Sequence, residues 1–516
     1  MRKISPIFLI AIAALSLPWA HRPEALASGG SVTKAARVTH ASTSGCQTPP
    51  VLAPFVPADI VASNSQANVN CLVWQEFLGL NWQASILNCE ADLTATPSSF
   101  GQPNNDAPVV WETFKEAHEV FQKGAATPSP WCSDQLPPVG LLFADWGTPP
   151  SSHRYKVFSL TPTMPGHQGF SSFVQAGTNG AWLTAQNGNR TLYEVRLNSD
   201  EFNYIQSNRL YDASTQQAFV QSAGIDLPDG TARFWQYGHV GSIEIKAAWV
   251  ELPDPSKWRY FKISKAYIVD PARPNRPRLA TVGLVGLHII HKTAKGPQFV
   301  WATFEHVNNA PSAADIQSKN LLPWYTYYDE RCNPTSDRYR CTANARPAFA
   351  DPGRLAYPSQ SKNRYAAPMQ VVRENPINDS SFDNIAGLNE WIWNLIRSSN
   401  PDSVFLNYQL VDVLWASSPV KVAPGARIPL TAGNPQPSPA TQKVANTTME
   451  TYSQNSKTCL DCHVRAAIAP ARGPNQYASD YSFLFSMADT AGSPKTDRSR
   501  EMTAIQKRKI FAETRK

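Results

Sequence analysis

The chain has 516 residues, of which 42% are hydrophobic and 17% are charged, and its formal net charge at pH 7 is +7. This length predicts two or three domains with sizeable cores, and the composition excludes a solvated, disordered chain. The sequence has no long basic run with interleaved aromatic residues, so the positive charge does not indicate nucleic-acid binding.

The first 27 residues have the pattern of a secretory signal peptide. Arg2 and Lys3 precede a short apolar stretch, and a small-residue cleavage site ends at Ala27. The alternative is an uncleaved membrane anchor, but the stretch is short for a spanning helix and is interrupted by proline. No later stretch approaches the apolar length of a membrane span, so we expect no stable span in the mature chain. The expected location is the periplasm, with secretion as the alternative.

Residues 28–66 are small, polar and proline-containing, which predicts a loose N-terminal segment in the mature chain. A large domain over residues 67–418 is predicted to follow. Its first element is the sequence LVWQEFLGLNW, residues 72–82, whose apolar side chains fall near helical spacing. We expect a short buried helix there.

Between residues 155 and 310 the sequence is typical of β-strands, with short runs in which apolar and polar residues alternate. In one such run Ile243 and Ile245 alternate with Glu244 and Lys246, and we expect the latter two to be a solvated pair. The last two strands are separated by the sequence AKGP, which predicts a hairpin with a four-residue loop. The predicted strands are Tyr155–Leu160, Leu192–Asn198, Ser242–Leu252, Trp258–Val269, Thr281–Thr293 and Gln298–Val307.

Two helical patterns accompany these strands. One helix is predicted over residues 199–210, with Ser199 or Asp200 as its N-cap, and another over residues 381–399. A returning strand is predicted over Ser403–Trp415. The elements together predict the α+β class, with a large β-rich domain and flanking helices.

The remainder of the chain differs in composition from the large domain. Residues 419–442 are rich in Pro, Gly, Ala and Thr, which predicts either a linker or an extended arm lying on the large domain. Residues 443–516 are predicted to form a small, mainly α-helical segment that includes a terminal helix over residues 497–513.

The chain contains eight cysteines, and in an exported protein most of them are expected to pair. Cys332 and Cys341 are nine residues apart in a loop sequence and are predicted to form a disulfide. Four more cysteines allow three pairings, and we favour Cys71–Cys89 because these two are close in sequence. The alternative is that some of the thiols are free and buried. The four cysteines are Cys46, Cys71, Cys89 and Cys132.

The last two cysteines belong to the motif C-x-x-C-H, which is the attachment signature of a c-type haem. Each thiol can add across one vinyl group of the porphyrin, and the following imidazole then lies under the iron. Cys459 and Cys462 are therefore predicted to bind haem covalently. His463 is predicted to bind the iron through Nε2, while its other ring nitrogen donates to a carbonyl group.

The sequence CLDCH, with its Thr/Ser/Asn-rich lead-in and a terminal helix, resembles the cytochrome c family. The resemblance covers only residues 443–516 and implies a cytochrome c-like fold for them, with one covalently bound haem c. It also implies electron exchange with a redox partner protein or with a small-molecule donor or acceptor. Export is consistent with the resemblance, because covalent haem attachment in bacteria takes place outside the cytoplasm.

The sixth ligand of the iron is left open by the sequence. A distal Met in the cytochrome c family usually lies in a loop before the last helix, which implies Met487, and the alternative for this residue is packing within the loop. Met502 falls inside the predicted terminal helix. The large domain could instead supply a ligand, or the iron could be five-coordinate and open to small ligands.

Three other kinds of site can contain a C-x-x-C motif. A thioredoxin-like site is expected within a βαβ frame, which does not surround the motif. A zinc site needs more Cys or His ligands nearby than the sequence offers after residue 463. A disulfide between Cys459 and Cys462 would be strained and would leave His463 unexplained.

A second group of polar residues lies on the predicted hairpin: His288, His291, Glu305 and His306. Three histidines and a carboxylate on neighbouring strands could form a metal or substrate site. The alternative is that they are polar positions at strand ends with local hydrogen bonds. Since His288 and His291 are three residues apart, a regular strand directs them to opposite faces.

The sequence thus favours an exported, monohaem c-type cytochrome that transfers single electrons. One alternative is a periplasmic haem-dependent oxidoreductase whose large domain binds a substrate. Another is a binding or structural protein in which haem acts as a covalent staple. The sequence indicates neither the substrate nor the oligomeric state.

Overall fold

The structure is a computed structural model, and the residues that it describes belong to one compact unit. The predicted signal peptide, the terminal helix over residues 497–513 and Met502 lie outside the described residues. The described ranges are 45–61, 63–133, 156–159, 176, 181–269, 278–336, 341–346, 368–378, 385–437, 443–469 and 476–491.

The described residues form helices and a large, mostly antiparallel sheet, which confirms the α+β class. None of the helices in these ranges is both long enough and apolar enough to cross a membrane. The helices are α1 Gln66–Leu80, α2 Ala117–Val120, α3 Ser199–Ser207, α4 Ala213–Ser222, α5 Ala313–Gln317, α6 Ile385–Ser399 and α7 Cys459–His463. The strands are β1 Ala84–Ser85, β2 Glu90–Ala91, β3 Lys115–Glu116, β4 Lys156–Ser159, β5 Thr191–Leu197, β6 Ile243–Glu251, β7 Ile263–Val269, β8 Arg278–His291, β9 Val300–His306, β10 Tyr408–Ala416 and β11 Pro435–Gln436.

The sheet is built around β8, its longest strand. Its order is β11-β10-β9-β8-β6-β5-β3, with antiparallel neighbours throughout, and β4 runs parallel to β7. The first half of β8 pairs with β7 and its second half pairs with β9. The predicted hairpin is therefore present, with His291 opposite Val300. Its connection is longer than predicted because Lys292 and Thr293 leave the strand, and the Thr293 carbonyl accepts from Gly296 N in a turn.

One side of the sheet, which we call the apolar face, carries Ile245, Ile289 and Phe304. Helices α1 and α6 cover it. The ring of Phe77 from α1 stacks on Phe304 at 4.5 Å, and Trp74 Nε1 donates to Asn389 Oδ1 of α6 at 3.1 Å. The apolar residues that alternate along the strands and those that repeat at helical spacing thus pack together in one core, as binary patterning requires.

The other side, the polar face, carries Glu244, Lys246, His288, Thr303 and Glu305. The expectation that Glu244 and Lys246 are a solvated pair is wrong, since Glu244 is only 4% exposed. Residues 443–469 and 476–491, which we call the cover segment, lie over this face. Alternation in a strand shows that its two faces differ, but it does not show what packs on the polar one.

Several predicted element boundaries shift in the structure. The helix predicted over residues 199–210 ends at Ser207, and its N-cap is Asn198, whose Oδ1 accepts from Glu201 N at 3.2 Å. Trp258 lies in a 3₁₀ turn that precedes β7, and residues 404–407 form another turn before β10. Helix α4 lacked a clear apolar stripe and was not predicted, and only three of its residues are buried.

The disulfides pair differently from one of our predictions. Cys332–Cys341 is confirmed, but Cys71 pairs with Cys46, and Cys89 pairs with Cys132. Cys71 lies nine residues before the end of α1, which is about 13 Å along the helix axis, and Cys89 lies beyond that end. A disulfide requires Cα atoms within about 7 Å, and the fold brings Cys46 to 6.0 Å from Cys71 and Cys132 to 5.6 Å from Cys89.

The proline-rich stretch is described over residues 419–437 and is hydrogen-bonded on both sides. Gly425 N donates to the Val220 carbonyl of α4, and Leu430 N donates to the Val464 carbonyl at 2.7 Å. Tyr481 Oη donates to the Thr431 carbonyl, also at 2.7 Å. This stretch therefore contacts both α4 and the cover segment, while the proposed division of the chain into domains stays a prediction.

Candidate functional site

The C-x-x-C-H motif forms α7, a helix of five residues within the cover segment. Thr458 is its N-cap, and the backbone N–H of Thr458 donates to Asp461 Oδ2 at 2.8 Å. One helical turn places Cys459, Cys462 and His463 at the spacing i, i+3 and i+4, so that they share one side of the helix. The local fold thus groups the three residues that the motif predicted.

The two motif cysteines are free, whereas the other six are paired. Burial raises the pKa of both Cys459 and Cys462 above the ordinary thiol value. A redox-active C-x-x-C site needs a lowered thiol pKa, so the environment argues against the thioredoxin-like interpretation. Within the described ranges, no group of three or more His, Cys, Asp or Glu side chains is arranged to hold a metal ion.

His463 is held in one tautomer by the backbone. Its Nδ1 donates to the Tyr481 carbonyl at 2.7 Å, which leaves the lone pair on Nε2. Within the described part of the chain Nε2 makes no hydrogen bond. Burial lowers the pKa of His463 to about 4, so the ring is neutral at pH 7. A neutral imidazole whose other nitrogen donates to a carbonyl is the form in which histidine binds metals.

Two aromatic rings flank the His463 imidazole. Trp301 of β9 packs against it at 4.3 Å between centroids, and Phe483 lies at 4.8 Å on an exposed side. Trp301 is itself fixed by donation from Nε1 to the Gln298 carbonyl at 2.8 Å. Phe483 is 42% exposed, so the site reaches the protein surface at this ring.

A narrow recess lies between the polar face and the cover segment, with room for about one water molecule. It is far too small for a drug-sized ligand or a porphyrin, and neither Cys462 nor His463 lines it. The recess is lined by His288, Trp301, Thr303, Val444, Glu450 and Cys459.

Three charged or titratable side chains meet beside Cys459. His288 Nε2 lies 3.4 Å from Glu450 Oε2, and Lys246 adds a positive charge nearby. Burial pushes the pKa of Glu450 upward, but His288 and Lys246 outweigh it and bring this pKa below its ordinary value. Burial lowers the pKa of Lys246. The Glu450 carboxylate is also held by Asn446 N at 2.8 Å, so a negative charge is fixed in the recess.

The cover segment is attached to the polar face through hydrogen bonds. Glu305 Oε2 accepts from both the N–H and the hydroxyl of Thr447, at 2.9 and 2.7 Å, and Glu305 also forms an ion pair with Arg373. Asn446 Nδ2 donates to Thr303 Oγ1 at 2.9 Å and to the Phe304 carbonyl at 2.8 Å. Glu305 therefore fixes the start of the cover segment and does not serve the predicted metal or substrate cluster.

A buried group of three carboxyl side chains lies next to Tyr481: Glu201, Glu244 and Asp480. Burial raises the pKa of Glu244 to about 7 and that of Asp480 to about 6, and it raises the pKa of Glu201 as well. The neighbouring Glu244 carboxyl group also raises the pKa of Glu201, because two like charges resist ionising together. Lys292 Nζ donates to Asp480 and, at 2.8 Å, to Asp226.

The histidines of the predicted hairpin cluster are not brought together. His291 lies on the apolar face, where its Nδ1 is 2.6 Å from Glu76 Oε1 of α1, and His306 Nε2 donates to the Tyr260 carbonyl at 2.9 Å. Burial lowers the pKa of His306 to about 4. The alternative of separate, locally hydrogen-bonded positions fits His291, Glu305 and His306. Only His288 shares a recess with the motif.

Met487 ends a 3₁₀ turn over Leu484–Met487. It is half-buried and packs against the hydrophobic cluster that contains Phe485 and Phe121. Its predicted role as the sixth ligand stays a prediction.

The sequence did not identify Trp301, Glu450 or Tyr481 as parts of the site. Tyr481 contributes only a carbonyl, which its positive φ of 67° helps to orient, and no side-chain pattern reports that. The alternation of Trp301, Thr303 and Glu305 along β9 was a usable signal, because these residues share the face on which the motif lies.

Comparisons with protein-family models, with curated proteins and with solved structures found no match for this chain. The chemistry of the site therefore has to be argued from its own residues.

Proposed function

We propose that this protein is an exported, monohaem c-type cytochrome that transfers single electrons. In this proposal Cys459 and Cys462 bind the haem through thioether bonds and His463 is an axial ligand of its iron. One observation carries the proposal: six cysteines pair and leave free only the two that share a helical turn with a tautomer-fixed imidazole. The donor set fits a haem c, since both thiols and the Nε2 lone pair are unused.

The haem would supply the one-electron chemistry, and the chain would supply orientation and environment. The Tyr481 carbonyl holds the His463 ring and makes it a better donor to iron. Trp301 packs on the His463 ring from the sheet side. Phe483 packs on the same ring and is exposed, so the site is in contact with solvent at this residue. A redox partner protein or a small-molecule donor or acceptor would exchange electrons at this edge.

The proposed location is the periplasm. Three disulfides are typical of proteins from oxidising compartments, and this supports export by the predicted signal peptide of residues 1–27.

The test is production of the full chain in a bacterial host that attaches haem c, followed by intact mass and optical spectroscopy. We expect the processed chain to gain the mass of one haem. Cys459→Ala and Cys462→Ala should each lose one thioether bond, and His463→Ala should lose the low-spin spectrum. The double variant Cys332→Ser/Cys341→Ser is the matched control and should keep its haem, because that disulfide is separate from the motif.

A colourless protein without added mass would contradict the proposal. If haem is present, potentiometry separates the remaining hypotheses. A reversible one-electron potential supports electron transfer, reduction of the haem only upon addition of a substrate supports an oxidoreductase, and an inaccessible potential supports a structural staple.

A further inference from the structure

We propose that Glu201 and Glu244 together form a proton-binding site that is coupled to the oxidation state of the haem. The carboxyl pair takes up a proton from solvent when a redox partner delivers an electron, and it returns the proton to solvent when the electron leaves. One carboxylate becomes a carboxylic acid as the iron gains one electron, so the two added charges cancel within the protein. This inference rests on the proposed function, in which the partner is the source of the electron.

The two carboxyl groups are buried without the partners that a charged pair needs. Glu201 of α3 is fully buried, and Glu244 of β6 is 4% exposed. Within the described ranges, neither carboxyl oxygen of Glu201 has a hydrogen-bond partner, and neither does Oε1 of Glu244. Neighbouring buried carboxylates destabilise each other, because each has lost its hydration and repels the other. The pair therefore favours a state in which one proton is bound.

The charges around the pair place its titration near neutral pH. Burial raises the pKa of Glu244 to about 7 and also raises that of Glu201. The nearby cation, Lys292, is engaged by other carboxylates, since its Nζ donates to Asp480 and, at 2.8 Å, to Asp226. Asp480 itself raises the pKa of both glutamates. The other titratable or charged groups around this site are Tyr204, Arg233, Tyr481 and, two positions along β6, Lys246.

Three consecutive residues of the cover segment connect the pair to His463. The first, Asp480, binds Lys292 beside the pair. The second, Tyr481, accepts from His463 Nδ1 through its carbonyl at 2.7 Å. The third, Ser482, interacts through its hydroxyl with Glu244 and favours the ionised form. The backbone that orients the predicted iron ligand is therefore held on both sides by the surroundings of the acid pair.

The sheet register places Glu244 close to the motif as well. Glu244 of β6 is opposite Ile290 of β8, and Ile290 is opposite Trp301 of β9. Opposite residues on neighbouring strands share a face, and strands lie about 4.8 Å apart, so the backbones of Glu244 and Trp301 are about 10 Å apart on the polar face. The Trp301 ring packs on His463 at 4.3 Å. Over such distances, buried charges still interact appreciably.

The direction of the coupling follows from the sign of the charges. An added electron makes the surroundings of the pair more negative, which favours the protonated form of a carboxyl group. By linkage, a bound proton must favour the reduced state by the same factor. The reduction potential should therefore fall as pH rises between about pH 6 and 8, by no more than about 59 mV per pH unit, the value for one proton per electron.

The test is potentiometry of the full chain, made in the haem-attaching host, at a series of pH values. We expect the wild type to show this negative slope. The double variant Glu201→Gln/Glu244→Gln keeps the size of both side chains but cannot release the proton, so its slope should be less than half that of the wild type. Glu90→Gln, at an exposed position of β2, is the matched control and should keep the full slope.

A second measurement on the wild type covers the case in which the double variant folds poorly. The reduced-minus-oxidised infrared difference spectrum should contain a positive band from a protonated carboxyl group, which shifts in heavy water and is lost in Glu244→Gln. The inference is overturned by a wild-type potential that does not change with pH, by a double variant that keeps half of the slope or more, or by the absence of that band. A wild-type protein that carries no haem would instead overturn the proposed function.

Discussion

Both faces of the central sheet are covered by other parts of the chain, but the interactions that hold these parts in place differ between the two faces. On the apolar face, α1 and α6 bury rings such as Phe77 and Phe304, and the burial of these rings is a non-directional contribution. On the polar face, the cover segment is joined through directed bonds such as those between Glu305 and Thr447. Burial of rings constrains mainly volume and shape, whereas the hydrogen bonds on the polar face also fix orientation. The motif lies on the polar face.

The largest effect that separates the faces is expected from Phe77→Ala. Phe77 is fully buried and touches Trp74, Phe304 and Phe405. Loss of its ring should lower the free energy of unfolding by about 3–5 kcal/mol, as a shift of the urea midpoint would show. If the proposed haem is bound, its optical spectrum at pH 7 should stay that of the wild type, because the substitution lies on the opposite face. A changed spectrum would show that the two faces are coupled.

An intermediate effect is expected from pH on the polar face. Burial raises the pKa of Glu244 to about 7, so between about pH 4.5 and 7 the folded chain holds a proton that the unfolded chain has lost. The free energy of unfolding should therefore fall as pH rises, by roughly 2 kcal/mol between about pH 5 and 8. Asp480 acts in the same direction, and Lys292 opposes it by attracting the ionised form.

Urea unfolding at a series of pH values measures this slope, and Glu244→Gln should reduce it. Glu90→Gln, at an exposed position of β2, is the control and should leave the slope unchanged. An unfolding free energy that rose with pH over this range would show that the carboxyl group is not held protonated.

The smallest effect on stability is expected where the cover segment meets solvent. Phe483 is 42% exposed, so Phe483→Ala should change the free energy of unfolding by no more than about 0.5 kcal/mol. Its ring nevertheless shields His463, and its loss admits water to the ligand. Water stabilises the more highly charged ferric state, so potentiometry should show a lower reduction potential. An unchanged potential of the proposed haem would mean that Phe483 does not shield His463.

The parts of this molecule that the sequence predicted well are those encoded locally. Strands β5 and β6 were predicted to within a residue at each end, because alternation is a property of neighbouring positions. The C-x-x-C-H helix is likewise complete within five residues. Predicting that Cys332 pairs with Cys341 needed only a short loop, whereas the partners of Cys71 and Cys89 lie 25 and 43 positions away.

The parts that were missed depend on contacts between distant residues. His463 is oriented by Tyr481 and packed by Trp301, which lies 162 positions earlier in the chain. Such a contact leaves no periodic pattern in the sequence. The alternation along β6 likewise does not show that a later segment covers Glu244. His288 was singled out as one of four polar residues, but its difference from His291 lies in what each faces, which only the folded chain determines.

Helix α1 is joined to β10 by hydrogen bonds between residues that are far apart in sequence. Gln66 Nε2 donates to the Val413 carbonyl, and Trp415 Nε1 donates to Gln66 Oε1, across 347 and 349 positions of sequence. A chain growing from its N-terminus has therefore made nearly all of the sheet before α1 can bury its apolar side chains. Contacts that form so late and over such sequence distances slow folding, and they leave apolar surface exposed in the nascent polypeptide.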